Sequence, residues 1–476
     1  MKKLSFIIFS LGILFSCSDL LEEKPQAIAV ETYYNTAEEI ASGVYAIYSP
    51  LRSVDLLATE QEASSDQFYR TIGSYSAASK FQGLDNTNIN RVGSIWNNMY
   101  KAIRNANIII QAIPKAGSAS EDDKNRLLGE AKFLRAYAYF TLVRNWGAVP
   151  LRTEDNISQT DMARSPESEV YDLIKSDLDF AVASLPTTAP VSGRPSKWSA
   201  SMLLADVYFY LNDYSKAAEL TKKIIDSNQF SLIDVKSSDD ISDIFGPTQS
   251  SSSEELFYFK YNDLSTNWFP VCLHGGTIAG KYIPQSGYNL LQSREDYSVY
   301  VNQDDKDLRK GLWYSYTGGL VGEKGLLLKK YIDVDGTTGP RNLFPIYRYA
   351  DCLIMYAEAS CRVASKPTDD GVEALNMVHR RAYGYPSATA SPVDFNINDC
   401  DKDSFVDLCI KEEGYETVGE AKRWYYLKRL GKPAAQKIIR ETRGIDIAEK
   451  AWLWPIPVEE MNYNSAITVE DQNPGY

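Results

Sequence analysis

The 476-residue chain is short of histidine, cysteine, positive charge and long apolar runs, and each shortage removes a class of function. It has 2 histidines, His274 and His379. No HExxH, GxSxG, GxGxxG or P-loop pattern occurs, so metal-assisted or Ser-His-Asp chemistry would rest on the single loop histidine of "CLHGG". His379 stands beside two arginines in "LNMVHRRAYG" and reads as a packing or surface residue of a helix. Beyond Cys17, the cysteines Cys272, Cys352, Cys361, Cys400 and Cys409 are widely spaced and form no CxxC, which signals neither a zinc site nor a disulfide scaffold. Cys352 and Cys361 fall on opposite faces of one predicted helix, as small core residues rather than a bridge. The formal charge of −13 has the wrong sign for a nucleic-acid partner or for adhesion to anionic lipid.

The most apolar run, Leu4 to Phe15 behind Lys2 and Lys3, is also short: its twelve residues fall below the roughly 20 that span a bilayer. A positive start, a short apolar core and a small-residue end make a secretory signal peptide. Leu14-Phe15-Ser16-Cys17 resembles a bacterial lipobox, which implies cleavage before Cys17 and a diacylglyceryl group on its thiol. Two acyl chains meet the requirement for stable anchoring. Residues 1–16 are then the signal peptide and 17–30 a lipidated tether. The acids Asp19, Glu22 and Glu23 in that tether resemble the surface-export signal of Bacteroidetes lipoproteins. Residues 31–476 are expected to form a single domain.

What is abundant is tyrosine, 32 against 17 phenylalanines, with 8 tryptophans. An apolar ring with a polar handle suits wet binding surfaces, although most of these rings must pack helices together. Helical periodicity dominates. Leu127, Leu128, Ala131, Leu134, Ala138 and Leu142 recur at three-to-four spacing, and Gly147 and Pro150 end the pattern. "KWSASMLLADVYFYLNDYSKAAELTKKIIDS" reads as two helices around Asn212-Asp213-Tyr214, the unit of a tetratricopeptide-type repeat. "RYADCLIMYAEASCR" and "GVEALNMVHRRAYG" form a similar pair, and "DSFVDLCIKEEGYETVGEAKRWYYLKRLG" reads as one further long helix. The expectation is a mainly α protein, a tetratricopeptide-like superhelix with a helical scaffold over 31–234 and 341–476. Between them, about 235–340 is rich in Ser, Gly, Asn, Pro and aromatics, with strand-like "ELFYFKY" and "GLLLKKYI", and reads as an irregular binding region on a rigid frame.

At this point several segments resemble one family in order. "RLLGEAKFLRAYAYFTLVRNWGAVPL", "GRPSKWSASMLLADVYFYLNDYSKAAELTKKII", "IYRYADCLIMYAEA" and the closing W-P-I-P and Q-N-P-G-Y pieces of "WLWPIPVEEMNYNSAITVEDQNPGY" are similar to the SusD/RagB outer-membrane lipoproteins. One segment, "EEGYETVGEAKRWYYLKR", departs from the family pattern: Glu413, Thr417, Ala421 and Tyr426 stand where Arg, Leu, Gly and Asp are usual. Glu412, Glu416, Glu420, Arg423, Trp424, Leu427 and Arg429 agree, and the spacing of the acids and arginines predicts pairing along one helical face, as structure rather than catalysis.

The resemblance implies binding without turnover: capture of an oligosaccharide or polysaccharide at the cell surface and delivery to a SusC-like TonB-dependent transporter, with no cofactor. Peptide capture by the same fold and a surface glycoside hydrolase are the rivals. A glycosidase needs only two carboxylates, and among 63 acidic residues nothing in the sequence singles out a pair. "DVDGTTG" (333–339) and "DNTNIN" (85–90) are oxygen-rich but fit no EF-hand, and read as ordinary turns rather than a metal site.

A sugar ring lays its apolar C–H face on an aromatic ring and turns its hydroxyls to amides and charges. Two segments supply those parts. "SSDQFYRTIGSYSAASKFQGLDNTNIN" holds Tyr69, Arg70, Tyr75, Phe81 and Asn88. The irregular region holds Trp268, Phe269, Tyr282, Tyr288, Tyr297, Trp313, Tyr314 and Tyr316. Tyr75, Trp268, Tyr288 and Trp313 are the candidate platforms, and Arg70 and Asn88 the candidate hydrogen-bonding residues. Trp96, Trp146, Trp452 and Trp454 read as core.

Overall fold

The structure is a computed structural model that describes residues 33–70, 72–84, 86–247, 251–318 and 323–476. The signal peptide, Cys17 and the tether of residues 17–30 lie outside the described residues.

Helix α1 (Ala37–Leu51) begins on a reciprocal cap: the Glu39 N–H donates to Thr36 Oγ1 (3.3 Å) and the Thr36 N–H donates to Glu39 Oε2 (2.8 Å). It is followed by α2 (Val54–Ala63), α3 (Asn86–Ala112) and α4 (Glu121–Trp146). Ser120 caps α4, three acids fill its first turn where the helix dipole favours them, and Gly147 at φ +71° ends it. From Phe133 to Trp146 the helix is buried nearly all round, so it is the axial rod of the fold. Helix α5 (Glu167–Ser184) packs on α4, and the expected hairpin follows as α6 (Lys197–Tyr210) and α7 (Tyr214–Asp226). Its turn passes through Asn212 at φ +62°, and the Asp213 carboxylate accepts the Lys216 N–H to start α7.

A five-residue turn, α8 (Phe269–Leu273), belongs to the loop-rich region. The second expected hairpin is α9 (Tyr349–Ala364) with α10 (Asp369–Ala382), and α9 also packs on α7 and on α11 (Lys402–Glu416). The chain closes through α12 (Arg423–Arg429) and α13 (Lys432–Arg443). The mainly α, tetratricopeptide-like reading therefore holds. One element differs: the single late helix expected over "DSFVDLCIKEEGYETVGEAKRWYYLKRLG" is broken between α11 and α12. Gly419 at φ +75° and Ala421 at φ +60° are left-handed and end helical continuity. The break turns the Glu420 carboxylate into a buried charge network and lets the Ala421 N–H donate to Glu62 Oε1 at 2.7 Å.

The strands are short and antiparallel. They are β1 (Val149–Pro150) with β2 (Arg164–Ser165), β3 (Glu255–Phe259) with β8 (Phe344–Arg348), β4 (Gly275–Gly276) with β5 (Gly287–Tyr288), and β6 (Trp313–Gly318) with β7 (Glu323–Leu328). The pairing of β3 with β8 bolts the start of the loop-rich region to the root of α9. Trp96, Trp146 and Trp454 are buried together edge to face, and Trp452 is half-buried, its ring stacked on Trp424 at 5.4 Å. The five cysteines among the described residues are unbridged.

Charge does the rest of the joining. Arg348, at the end of β8, is fully buried and donates to Glu416 (2.9 Å) and Glu254 (3.3 Å), and twice to Glu420 (2.7 and 3.0 Å). Arg381 of α10 donates to Glu254 at 2.6 Å and pairs with Glu416. Lys330 reaches Glu420, and Arg309 reaches Glu412 at 2.9 Å. Glu412, Glu416 and Glu420 thus pair across the fold with residues from far along the chain. Among the described residues only Glu420–Lys422 and Glu413–Arg423 pair within the segment, across the break rather than along one helical face. Charges buried in this way persist only when paired and hydrogen-bonded. This cluster welds the loop-rich region, through Arg309 and Lys330, to α10, α11 and the break.

Candidate ligand-binding site

Helix α8 is a buried plug, and its N-terminal neighbour Trp268 is left at the surface, 43% exposed. Tyr288, at the end of β5, is 59% exposed. The two rings are nearly parallel, 16° apart, with centroids 6.3 Å from one another, and so form one aromatic shelf. Glycine makes the approach of β4 and β5 possible: a Cβ on Gly287 would stand 2.1 Å from the His274 carbonyl oxygen, and one on Gly275 would stand 2.8 Å from the Tyr316 ring.

The two segments singled out in the sequence meet here. The Tyr69 N–H donates to the Gln292 carbonyl at 2.7 Å, and the Tyr69 hydroxyl donates to Gln292 Oε1 at 3.1 Å. Arg70 is half-buried, its Nε donating to the Ile72 carbonyl at 2.9 Å and its Nη1 to the carbonyl of Asn289, directly after Tyr288. Arg70, Trp268 and Tyr288 are therefore one neighbourhood. Asn88 falls in α3, and its side chain lies outside the described residues.

Two candidate platforms are placed otherwise. Tyr75 is 3% exposed, at φ +67°, with the Arg91 guanidinium 4.7 Å over its ring. Trp313 is 8% exposed and packs on Phe68 at 5.5 Å. Neither offers a ring face to solvent; both are packing residues. Strand alternation does not explain Trp313: Ser315 and Thr317, on its side of β6, are exposed, and Trp313 is buried because it opens the strand against Phe68.

Two further features bear on the site. His274 is fully buried, between the Tyr331 carbonyl (3.2 Å from Nε2) and the Tyr314 hydroxyl (3.0 Å from Nδ1). A carbonyl only accepts, so Nε2 carries the proton and Nδ1 accepts from Tyr314. Burial pushes its pKa down to about 4 against the help of that carbonyl, so the ring is neutral and serves as a post stacked on Tyr282 at 5.1 Å. It is no general base at neutral pH. The second feature is Asn289, at φ +50° and 4% exposed, whose carboxamide nitrogen and oxygen both lack a hydrogen-bond partner among the described residues. An unsatisfied buried amide costs about 1–3 kcal/mol. The sequence signal for it was only an Asn after an aromatic in a loop.

The buried carboxylates Glu254, Glu416 and Glu420 are all bound to arginines, which does not suit acid–base exchange. The oxygen-rich loop 333–339 is likewise consumed: Arg341 clasps both oxygens of Asp333 at 2.9 Å, and Thr337 Oγ1 donates to Asp263 at 2.8 Å. Among the described residues no group of three or more His, Cys, Asp or Glu is placed to hold a metal, and no helix is long and apolar enough to cross a membrane.

A tetratricopeptide-like scaffold that mounts an aromatic shelf on a loop-rich region defines a class of helical binding proteins. Residues 19–209 match a family described as "Starch-binding associating with outer membrane", and residues 256–476 match the SusD family. The chain belongs to the SusD/RagB family. It is 28% identical to SusD-like protein P38 of Formosa agariphila, over 94% of each chain. It is 27% identical to a SusD-like protein of Bacteroides ovatus, over 80% of this chain and 76% of that one. Among solved structures, a SusD homolog from Bacteroides thetaiotaomicron shares the fold with a TM-score of 0.80, at 21% identity over 96% of this chain and all of that one. A laminarin-binding SusD-like protein shares it with a TM-score of 0.75, at 22% identity over 93% of this chain and 100% of that one.

Proposed function

We propose that this chain captures an oligosaccharide or polysaccharide at the cell surface and hands it to a SusC-like TonB-dependent transporter, without chemical turnover. The observation that carries the reading is the Trp268–Tyr288 shelf, two nearly parallel rings exposed to solvent, one beside the buried α8 turn and one at the end of β5. Rings in that arrangement offer flat apolar faces to sugar C–H faces. Arg70 and the unsatisfied Asn289 amide stand beside them for hydroxyls. Asn88 remains a further candidate for the rim. Family membership supports the partner and the place: an outer-membrane protein held by lipid on Cys17, with the helical scaffold facing the transporter. The neighbour that binds laminarin makes a β-glucan a sensible first ligand.

The test uses the chain from Ser18 onward in native gels containing single polysaccharides, with peptide pools titrated in parallel and the same mixtures assayed for new reducing ends. Retardation by a glycan without new ends is the expected result. New reducing ends would make the protein a hydrolase, and binding to peptides alone would move the ligand class to peptide.

A further inference from the structure

The helical scaffold holds a second arrangement that shares no residue with the shelf. Two cavities, of about 120 and 300 Å3, have Arg144 and Tyr210 in the walls of both. The smaller is an inner chamber whose walls are mainly apolar, with Met202, Phe209, Ile346 and Met355, and also carry Asp206, Asp351, Glu413 and Glu420. Of these acids, Asp351 pairs with Lys422, Glu413 with Arg423 and Glu420 with Arg348 and Lys330. The larger is the outer one, with Lys428 and Trp452 in its wall and the exposed Glu167 and Pro474 at its rim.

Arg144 is clamped. Its guanidinium carbon lies 3.7 Å from the ring centre of Phe140 on one side and 3.7 Å from that of Tyr425 on the other, and its Nε donates to the Phe140 carbonyl at 3.1 Å. Its side chain is 8% exposed. Nη1 stands 3.6 Å from Asp206, beyond hydrogen-bond reach, because that carboxylate is held by the Tyr347 hydroxyl at 2.7 Å. Neither Nη1 nor Nη2 makes a hydrogen bond among the described residues. Lys428, beside Arg144, has no carboxylate within ion-pair distance among the described residues and rests its amine on the carbonyls of Arg144 and Trp452. Burial and the neighbouring Arg144 push its pKa down to about 7, so it is only partly charged at neutral pH. A guanidinium with unmade hydrogen bonds and a partly charged amine thus stand where the inner chamber meets the outer pocket. Guanidinium N–H groups of this kind make strong charge-assisted hydrogen bonds to an anion.

We propose that Arg144 anchors a second binding site, which takes a small monocarboxylate: the carboxylate meets the Nη edge of Arg144 near Lys428, and the apolar body fills the inner chamber. A dry cavity of about 150 Å3 holds a benzene ring, so the chamber suits a body of about five carbons.

Hexanoate is the probe. Isothermal titration calorimetry with the chain from Ser18 onward is expected to show saturable binding at millimolar concentrations. 1-Hexanol and hexylamine should bind about tenfold more weakly or worse, the scale of one charge-assisted hydrogen bond. Arg144→Met should abolish the preference for the acid. Met202→Trp, which fills the chamber and leaves the cation, should abolish hexanoate binding, and it decides the matter if Arg144→Met does not fold. Equal binding of hexanol and hexanoate, unimpaired binding in Met202→Trp, or no saturable heat with hexanoate would each overturn the proposal.

Discussion

Two regions of this molecule depart from the usual placement of side chains, and they do so in opposite ways. Around Arg348, charges from β8, α10, α11 and the loop-rich region are buried and matched acid to base, so that Glu254, Glu416 and Glu420 all meet guanidinium or ammonium groups. Around Trp268 and Tyr288, large rings stay exposed and the Asn289 amide stays unmatched. A satisfied cluster has nothing left to offer a ligand and serves to hold the frame. An incompletely satisfied one is poorly explained by stability, and it stands where a ligand would complete it. Unmatched buried polar atoms also occur in the scaffold, at Glu62 and Arg429, so it is their coincidence with exposed rings that marks the shelf as the proposed site.

The comparison breaks most visibly at its buried end. Arg348→Met leaves three carboxylates without their central cation, and the expected cost is about 3–5 kcal/mol in urea unfolding. A loss under about 1 kcal/mol would mean that the cluster does not hold the frame. The two tryptophans sharpen the contrast. Trp313→Ala should cost about 3–5 kcal/mol of stability as a core truncation. Trp268→Ala should leave stability within about 0.5 kcal/mol and weaken glycan binding about tenfold. If Trp268→Ala unfolds the protein, or binds glycan as before, the shelf is structure and not site.

Acid titration tests the same cluster more gently. Burial alone would disfavour ionisation of Glu416, but Arg381, Arg348 and Arg309 outweigh it and hold its pKa at about 2, and Arg309 with His379 does the same for Glu412. Carboxylates depressed in the folded state contribute stability that is present above their unfolded value of 4.5 and is lost as pH falls toward about 2. Urea midpoints should therefore fall between about pH 5 and pH 3, and Glu416→Gln should flatten that slope while lowering stability at neutral pH. The smallest effect is at the helix break. Ala421 holds φ +60° where this family usually has glycine, and Ala421→Gly should stabilise by about 0.5–1 kcal/mol. A loss instead would show that the alanine methyl contributes packing worth more than the strain.

Much of the scaffold was legible because helical periodicity and caps are local. The Asn212–Asp213 turn and the α6–α7 hairpin could be read directly from spacing and turn chemistry. The break between α11 and α12 was not legible, although Thr417, Val418 and Gly419 are weak helix formers, because helical periodicity resumes beyond them. What ends the helix is Glu420 finding Arg348 and the Ala421 N–H finding Glu62, partners 72 and 359 residues away in sequence. The candidate site was half legible for a similar reason. Composition pointed to the two aromatic segments, and they do meet, but no local signal distinguishes a ring that packs from one that is offered. Trp268 and Trp313 have similar neighbours in sequence and opposite fates in space.

The amino-acid sequence by itself determined the helical scaffold, the family and the absence of nucleophile and metal motifs, because each depends on spacing, composition or motif over a few turns of chain. The tertiary structure alone decided which aromatics became the shelf, that His274 is a neutral post, that the Asn289 amide and the terminal nitrogens of Arg144 make no hydrogen bond among the described residues, and where the late helix stops. Those outcomes depend on burial and on contacts between distant segments, and neither exists until the chain has folded.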